Sequence, residues 1–346
     1  MSDAAHSATP VRPSKTTLIE VQHLKKYFPI EKGFLRKVVG HVKAVDDVSL
    51  YIEEGETLGL VGESGCGKTT LGRCILRAIE PSEGKLLFNL DGEVMDLMGL
   101  DDNRMRRMRR HMQMIFQDPY GSLDPRMTVM DIVGEPLKLN GMASGSELED
   151  RVKQLMTIVG LEVKHLKRYP HAFSGGQRQR IGIARALSTN PKLVVCDEAV
   201  SALDVSIQAQ ILNLLHDLQR EFKLTYLFVA HNLSVVEHIA DRVAVMYVGR
   251  MVELAATEKI FARPMHPYTE ALLSAVPVPD PDYRMQRISL PGEVANPAAV
   301  PPGCPFHPRC AYAIDKCRTE VPVWTEHAPG HFAACHRSGE LTLKGV

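Results

Sequence analysis

The chain carries no excess charge of either sign: Lys+Arg and Asp+Glu each number 41 in 346 residues. That balance argues against a general role on nucleic acid or on a membrane surface. Long apolar runs are missing as well, and none approaches the roughly 18–20 residues that span a bilayer. The first stretch, MSDAAHSATPVRPSKTT, has no apolar h-region. A secretory signal is therefore not expected there, and residues 1–16 are expected to form a disordered lead. Cysteine is scarce over most of the length. Three lie before position 304, and the other four fall in the last 43 residues. The expectation is an intracellular protein with reduced thiols, in which clustered cysteines suggest metal more than disulfides.

What is present is ordinary globular material. Hydrophobic content is 45% and charged content 24%, enough to bury a sizeable core. The length suits one large domain plus an appendage.

TLGLVGESGCGKTTLGRCIL (57–76) reads as an apolar strand, a glycine-rich turn and a helix. Gly62, Gly67, Lys68 and Thr69 satisfy G-x-x-x-x-G-K-[ST]. Glycines let backbone N–H groups close around phosphate oxygens, and the helix N-terminus adds its partial positive charge. Lys68 can reach the β- and γ-phosphates, and Thr69 can ligate Mg²⁺. Downstream, PKLVVCDEAVSALD (191–204) is a buried strand ending in two carboxylates. Ligands of parallel α/β sheets gather at the carboxyl ends of strands. Asp197 is placed to hold Mg²⁺ through water, and Glu198 to orient the attacking water of a phosphoryl transfer.

Between these stretches lies FSGGQRQRIGIARAL (173–187). Ser174, Gly175, Gly176 and Gln177 open a helix and make a second anion-binding N-terminus. Here the sequence resembles the ATP-binding-cassette family, whose signature reads SGGQ. One nucleotide needs one such cradle; a second makes sense if it closes on a partner's nucleotide. The resemblance implies head-to-tail cassettes with two ATPs between them. It implies ATP contacts along the loop Gly62, Glu63, Ser64, Gly65, Cys66, Gly67, Lys68, Thr69 and Thr70. It also implies a glutamine loop at Gln117 that senses Mg²⁺ and the γ-phosphate, an interface-crossing loop at Asp204, and a switch histidine at His231. Mg²⁺ would be held by Thr69, Gln117 and Asp197, and Glu198, Gln117 and His231 would serve catalysis. Phe28, in HLKKYFPI, matches the position that stacks on adenine, with Tyr27 as its rival and a core aromatic as the plain reading. Two positions depart from the family pattern: Ala199 stands where proline is usual, and Asn232 where aspartate is usual.

The resemblance covers roughly residues 17–338 and is nearest to dipeptide/oligopeptide permease ATPases. HPYTEALLSAVP is distinctive of that branch, and PPGCPFHPRC also occurs in it. The implied activity is ATP hydrolysis that powers uptake of peptides, or of a related solute such as a metal chelate or glutathione. The implied partners are a non-identical ATPase subunit, two transmembrane permease subunits and, indirectly, an extracytoplasmic solute-binding protein. The expected place is the cytoplasmic face of the cell membrane. A soluble cassette ATPase acting on nucleic acid or ribosomes is the alternative. Against it stand a single cassette and the absence of a basic tail or long coiled-coil insertion.

The expected fold is an α/β P-loop cassette with a RecA-like core, an antiparallel β subdomain and a helical subdomain. A small, irregular, Cys-rich C-terminal domain is expected to follow. The boundaries are 17–262 for the cassette, 118–172 for its helical part and 263–346 for the extension. EKGFLRKVVGHVKA (31–44) looks like a hairpin, and RMRRMRRH (104–111) like a solvated helix face, since no aromatic platform is interleaved. Cys74 and Cys196 read as small buried hydrophobes, and Cys66 belongs to the phosphate loop. That leaves Cys304, Cys310, Cys317 and Cys335, whose count suits one tetrahedral metal or one four-iron cluster. Their spacing is wider than zinc patterns and unlike the tight ferredoxin run. The resemblance favours [4Fe–4S]; zinc, with His307 or His336 substituting, and unligated thiols remain open, as does a zinc knuckle.

Overall fold

The structure, a computed structural model, describes residues 16–34, 36–277 and 287–346. The expected lead, apart from Thr16, lies outside the described residues. Along the chain run β1 (Thr17–Lys32), β2 (Lys37–Glu53), β3 (Thr57–Val61), α1 (Lys68–Ile75), β4 (Glu83–Leu90), β5 (Glu93–Asp96), α2 (Asp102–Met108), β6 (Met112–Ile115), α3 (Val129–Leu139), α4 (Gly145–Ile158) and α5 (Gly175–Leu187). Then come β7 (Leu193–Asp197), α6 (Val205–Phe222), β8 (Thr225–Val229), α7 (Leu233–Ile239), β9 (Arg242–Tyr247), β10 (Arg250–Ala256), α8 (Thr257–Ala262), α9 (Pro267–Leu273), α10 (Asp315–Thr319), β11 (Thr325–Ala328) and β12 (His331–Ala333). No helix among the described residues is long and apolar enough to cross a membrane.

The described residues fall into two compact units. The first draws on the described residues of 16–52, 58–98 and 230–346, the second on Glu53–Thr57 and Gly99–Val229. In the first unit β2, β1, β4 and β5 form a four-stranded sheet. The pairs β1–β4 and β4–β5 are antiparallel. The expected hairpin over 31–44 is met by two long strands, β1 ending at Lys32 and β2 starting at Lys37. In the same unit β3 pairs in parallel with β9, and β9 runs antiparallel to β10.

Among the described residues, those of the C-terminal segment do not form a compact unit of their own. They share the first unit, where β12 adds to the edge of β10 with Glu253 opposite Ala333. A sheet edge with unpaired N–H and C=O groups is a ready acceptor for a returning strand, which periodicity alone does not reveal. Glu253 anchors the join. It is fully buried, and its carboxylate accepts hydrogen bonds from the Met265 N–H at 2.6 Å, the His266 N–H at 3.0 Å and His331 Nε2 at 2.7 Å.

In the second unit β6, β7 and β8 pair in parallel, and β7 and β8 are buried along their whole length. Continuous apolar runs such as LVVC and TYLFV suit strands covered on both faces. Helices α3 and α4 come from MTVMDIVGEPLKL (127–139) and ELEDRVKQLMTIVGL (147–161), which carry apolar residues at 3–4 spacing. Leu148, Val152, Leu155 and Met156 form the buried stripe of α4. The basic run lies on α2 and the turn after it. Asp101 caps α2 by accepting the Arg104 N–H at 2.9 Å, Met105 and Met108 point inward, and Arg104, Arg106 and Arg107 are exposed.

Candidate nucleotide site

The phosphate loop lies in the first unit. Fully buried β3 feeds it, and Gly67 is the N-cap of α1 with φ +108°. A Cβ at Gly67 would stand 2.0 Å from the Ala44 carbonyl oxygen, so the backbone itself demands glycine there. Lys68 is buried, and its Nζ donates to the Gly62 oxygen at 2.7 Å and the Glu63 oxygen at 3.1 Å. The ammonium is thus held inside the ring of the loop. Ser64 and Gly65 are exposed at its crest, while Thr69 and Thr70 are half-buried on the first turn of α1. Cys66 is buried, and burial pushes its thiol pKa up. It packs as a small neutral group, and its carbonyl accepts the Gly249 N–H at 2.8 Å. A tight loop leading into a helix N-terminus, with a lysine at its centre, fits the phosphates of ATP.

The rival aromatics separate by their partners. The Tyr27 hydroxyl donates to Asp46, which also accepts both Nε and Nη2 of Arg250 at 2.9 and 2.7 Å. Burial by itself would raise the Asp46 carboxyl; the Tyr27 hydroxyl and Arg250 hold it below the usual range. Tyr27 is therefore locked and half-buried, whereas Phe28 is 36% exposed. The Lys26 ammonium lies 4.9 Å from the Phe28 ring centroid.

The second unit carries the carboxylates. Asp197, the last residue of β7, is 2% exposed. Glu198 adopts φ +47°, a left-handed conformation uncommon for a side chain of its type. Its N–H donates to the Val229 oxygen at 3.0 Å, and its own carbonyl accepts the Ser201 N–H and Oγ at 3.1 and 2.9 Å. The turn thus projects the carboxylate, which accepts Gln117 Nε2 at 2.6 Å. Two site residues 81 positions apart are brought into contact.

The signature stretch forms a full capping box. Ser174 Oγ accepts the Gln177 N–H at 3.3 Å, and Gln177 Oε1 accepts the Ser174 N–H at 3.1 Å. A Cβ at Gly176 would stand 2.5 Å from Ile207 Cγ2, so α5 and α6 approach too closely for alanine. Beside it the Arg178 guanidinium lies 4.0 Å from the Tyr120 ring centroid. Asp204 occupies the N-cap position of α6 and is exposed, followed by Val205 at 82% exposure. In the first unit His231 is exposed just ahead of α7. Both departures from the family pattern find places. Asn232 caps α7 by accepting the Ser234 N–H at 3.0 Å, a task asparagine and aspartate share, and Ala199 is buried.

The four late cysteines line one small cavity in the first unit. Even so, no group of three or more His, Cys, Asp or Glu side chains among the described residues is arranged to hold a metal ion. The expected four-ligand cluster is not formed as these side chains stand. Burial pushes the Cys304 thiol up to about 12 and the Cys310 thiol up to about 11, and raises that of Cys335. Sequence reasoning missed two other residues nearby. The Glu63 N–H donates to the Tyr268 hydroxyl at 2.8 Å, and the Glu63 carboxylate pairs with Arg309 at 2.7 and 3.2 Å. Both partners sit in stretches noted only as branch markers, HPYTEALLSAVP and PPGCPFHPRC.

Comparison with known proteins agrees with these motifs. The ABC transporter family matches residues 45–201, and the oligopeptide/dipeptide transporter C-terminal region matches residues 252–317. The oligopeptide transport ATP-binding protein AppF of Bacillus subtilis is 51% identical over 326 residues, covering 93% of this chain and 98% of that protein. The dipeptide transport ATP-binding protein DppF of Haemophilus influenzae is 49% identical over 320 residues, covering 92% and 96%. Among solved structures, the dimeric post-hydrolysis state of the ATP-binding cassette MJ0796 bound to ADP and Pi is similar with a TM-score of 0.60 and 28% identity. That match covers 69% of this chain and 99% of the cassette. The cassette cbiO1 from Clostridium perfringens, part of the transporter complex cbiONQ, matches with a TM-score of 0.59 and 26% identity, covering 71% and 91%.

Proposed function

The chain belongs to the ABC transporter family as the ATP-hydrolysing subunit of a peptide importer, and from that premise we propose how its residues divide the work. Phe28 stacks on adenine, and the loop from Gly62 to Thr70 cradles the phosphates with Lys68 at its centre. Thr69, Gln117 and Asp197 would hold Mg²⁺, which when bound neutralises charge on the transferring phosphoryl group. Glu198 orients the attacking water and accepts its proton. Gln117 holds the Glu198 carboxylate in place and reports the γ-phosphate to residues 118–140, the surface that would meet the permease. His231 contacts the γ-phosphate. Ser174, Gly175, Gly176 and Gln177 close on the partner's nucleotide, and Asp204 crosses the interface. The observation that carries this reading is the Gln117–Glu198 contact, because it links the candidate base to the start of the helical segment.

The partners under this reading are a homologous ATPase subunit, paired head-to-tail, and two transmembrane permease subunits with their solute-binding protein. The subunit sits peripherally at the cytoplasmic face of the membrane, and residues 263–346 serve as a permease-type extension. Reconstitution of the complex in liposomes tests it. ATP hydrolysis should rise when binding protein and a di- or oligopeptide are added, and hydrolysis indifferent to both would overturn the assignment.

The thiol cavity belongs to the same reading. Cys304, Cys310, Cys317 and Cys335 would hold a [4Fe–4S] cluster, or zinc with His307 or His336. Four soft donors on one cavity support this chemistry. When bound, the group would tie four points of a tail poor in regular structure. Stoichiometric iron and sulfide in anaerobically purified protein is the expected result; protein without metal would overturn it.

A further inference from the structure

The phosphate loop carries a carboxylate of its own. Glu63 follows Gly62 directly, and Lys68 Nζ already rests on the Glu63 carbonyl. A nucleotide polyphosphate bound in this loop meets that negative charge at close range, and a freed carboxylate would also compete for Lys68.

The structure shows what answers the charge. Arg309 Nη1 and Nη2 reach the two Glu63 oxygens at 2.7 and 3.2 Å in a forked pair. The Arg309 side chain is 8% exposed and that of Glu63 28%. Arg309 Nε donates to the Pro291 oxygen at 3.3 Å, so the fork is anchored at its base. Neighbouring Phe306 lies edge-on to Tyr247 at 5.3 Å and is tilted against Tyr268 at 5.4 Å, and the Tyr268 hydroxyl accepts the Glu63 N–H. One loop residue is therefore held at its backbone and its side chain by two residues that follow it by more than 200 positions. A planar guanidinium suits this task because its donors match both carboxylate oxygens at once.

We propose that Arg309 is a positioning residue for nucleotide binding, which neutralises Glu63 and keeps that carboxylate from opposing the phosphates and from capturing Lys68. The inference rests on the phosphate-loop reading and extends it, making the C-terminal residues part of the affinity for ATP.

The test uses the full chain for binding and the assembled complex for kinetics. For Arg309→Gln, Kd and KM for MgATP should rise roughly tenfold while kcat stays within about twofold, because one uncompensated charge near bound phosphate weakens binding in both ground and transition states. Adding Glu63→Gln to that variant should recover most of the lost affinity, which the loss of a merely structural contact would not. Arg309→Lys, which keeps the charge but not the fork, should rise only a few-fold, and this variant keeps the question open to test if Arg309→Gln does not fold. Equal impairment of the single and double variants would overturn the proposal, as would a fall in kcat at constant KM. A wild-type chain that binds no MgATP would instead sink the phosphate-loop reading itself.

Discussion

Gln117 Nε2 donates to Glu198 Oε2 at 2.6 Å, joining the end of β6 to the end of β7. Glu198 reaches that contact from a left-handed backbone, and strain of this kind persists where the surroundings over-determine it. Glu198→Gln should keep MgATP binding and lower turnover by at least ~100-fold, the contribution a general base makes. Calorimetry with phosphate-release kinetics checks both halves, and turnover near wild type would remove Glu198 from its role.

Phe28 and Tyr27 should part company. Phe28→Ala should raise KM for ATP by about fivefold to a hundredfold, since stacking on an aromatic contributes about 1–3 kcal/mol per base. Phe28→Tyr should restore it. Tyr27→Phe removes the hydrogen bond to Asp46 and should cost about 1 kcal/mol of stability with little change in KM. Nucleotide titration and denaturant unfolding of the three variants separate stacking from scaffold.

The signature serine can be tested with its cap preserved. Ser174→Ala should lose about 1 kcal/mol of stability with the capping box. Ser174→Asp keeps an N-cap acceptor, so thermal unfolding should stay close to wild type. Its added charge opposes a partner's γ-phosphate, and turnover of the complex should collapse. Active Ser174→Asp complex would detach this helix from the nucleotide.

Glu253 and His331 make a buried pair, 0% and 3% exposed in their side chains, that joins β10 to β12. Removing Glu253 strands His331 and the Met265 and His266 N–H groups together, whereas removing His331 leaves the carboxylate those two donors. Glu253→Ala should cost about 3–5 kcal/mol in urea unfolding, and His331→Ala less. A change below 1 kcal/mol would mean that β12 holds by its backbone alone.

His266 ties stability to pH. It is buried at the start of α9, its Nδ1 accepts the Tyr268 N–H at 3.0 Å, and burial pushes its pKa down to about 3. In the unfolded chain the ring titrates near 6.5. Above that pH neither state holds the proton, and the ring adds no pH dependence. As pH falls from about 6.5 toward about 3, the unfolded state takes up a proton that the folded state refuses, and stability drops by up to about 1.4 kcal/mol per pH unit. His266→Asn keeps a capping side chain and should flatten the curve by one proton between pH 6.5 and 5. An unchanged slope in proton-linked unfolding would contradict the assignment.

Much of the candidate site's local geometry was legible in the sequence because it depends on neighbouring residues. The phosphate loop spans nine residues from Gly62 to Thr70, and the capping box closes between Ser174 and Gln177. In both, residue type and spacing dictate the local backbone geometry. The buried strands β7 and β8 and the amphipathic helix α4 follow from runs and periods of apolar residues in the same way.

Contacts between distant residues were decided by the tertiary structure. No spacing rule pairs Arg309 with Glu63, 246 positions away, or assigns Tyr27 to Asp46 and leaves Phe28 exposed. The same limit explains the thiols. Their count suggested a ligand set, and folding brings all four to one cavity, although no group of three or more His, Cys, Asp or Glu among the described residues is arranged to hold a metal ion. The C-terminal residues looked like a separate appendage because their pattern is irregular. The buried carboxylate of Glu253 and the open edge of β10 made them part of the first unit. Local motifs thus determine what chemistry the chain can do, and packing between remote segments decides which groups hold that chemistry in place.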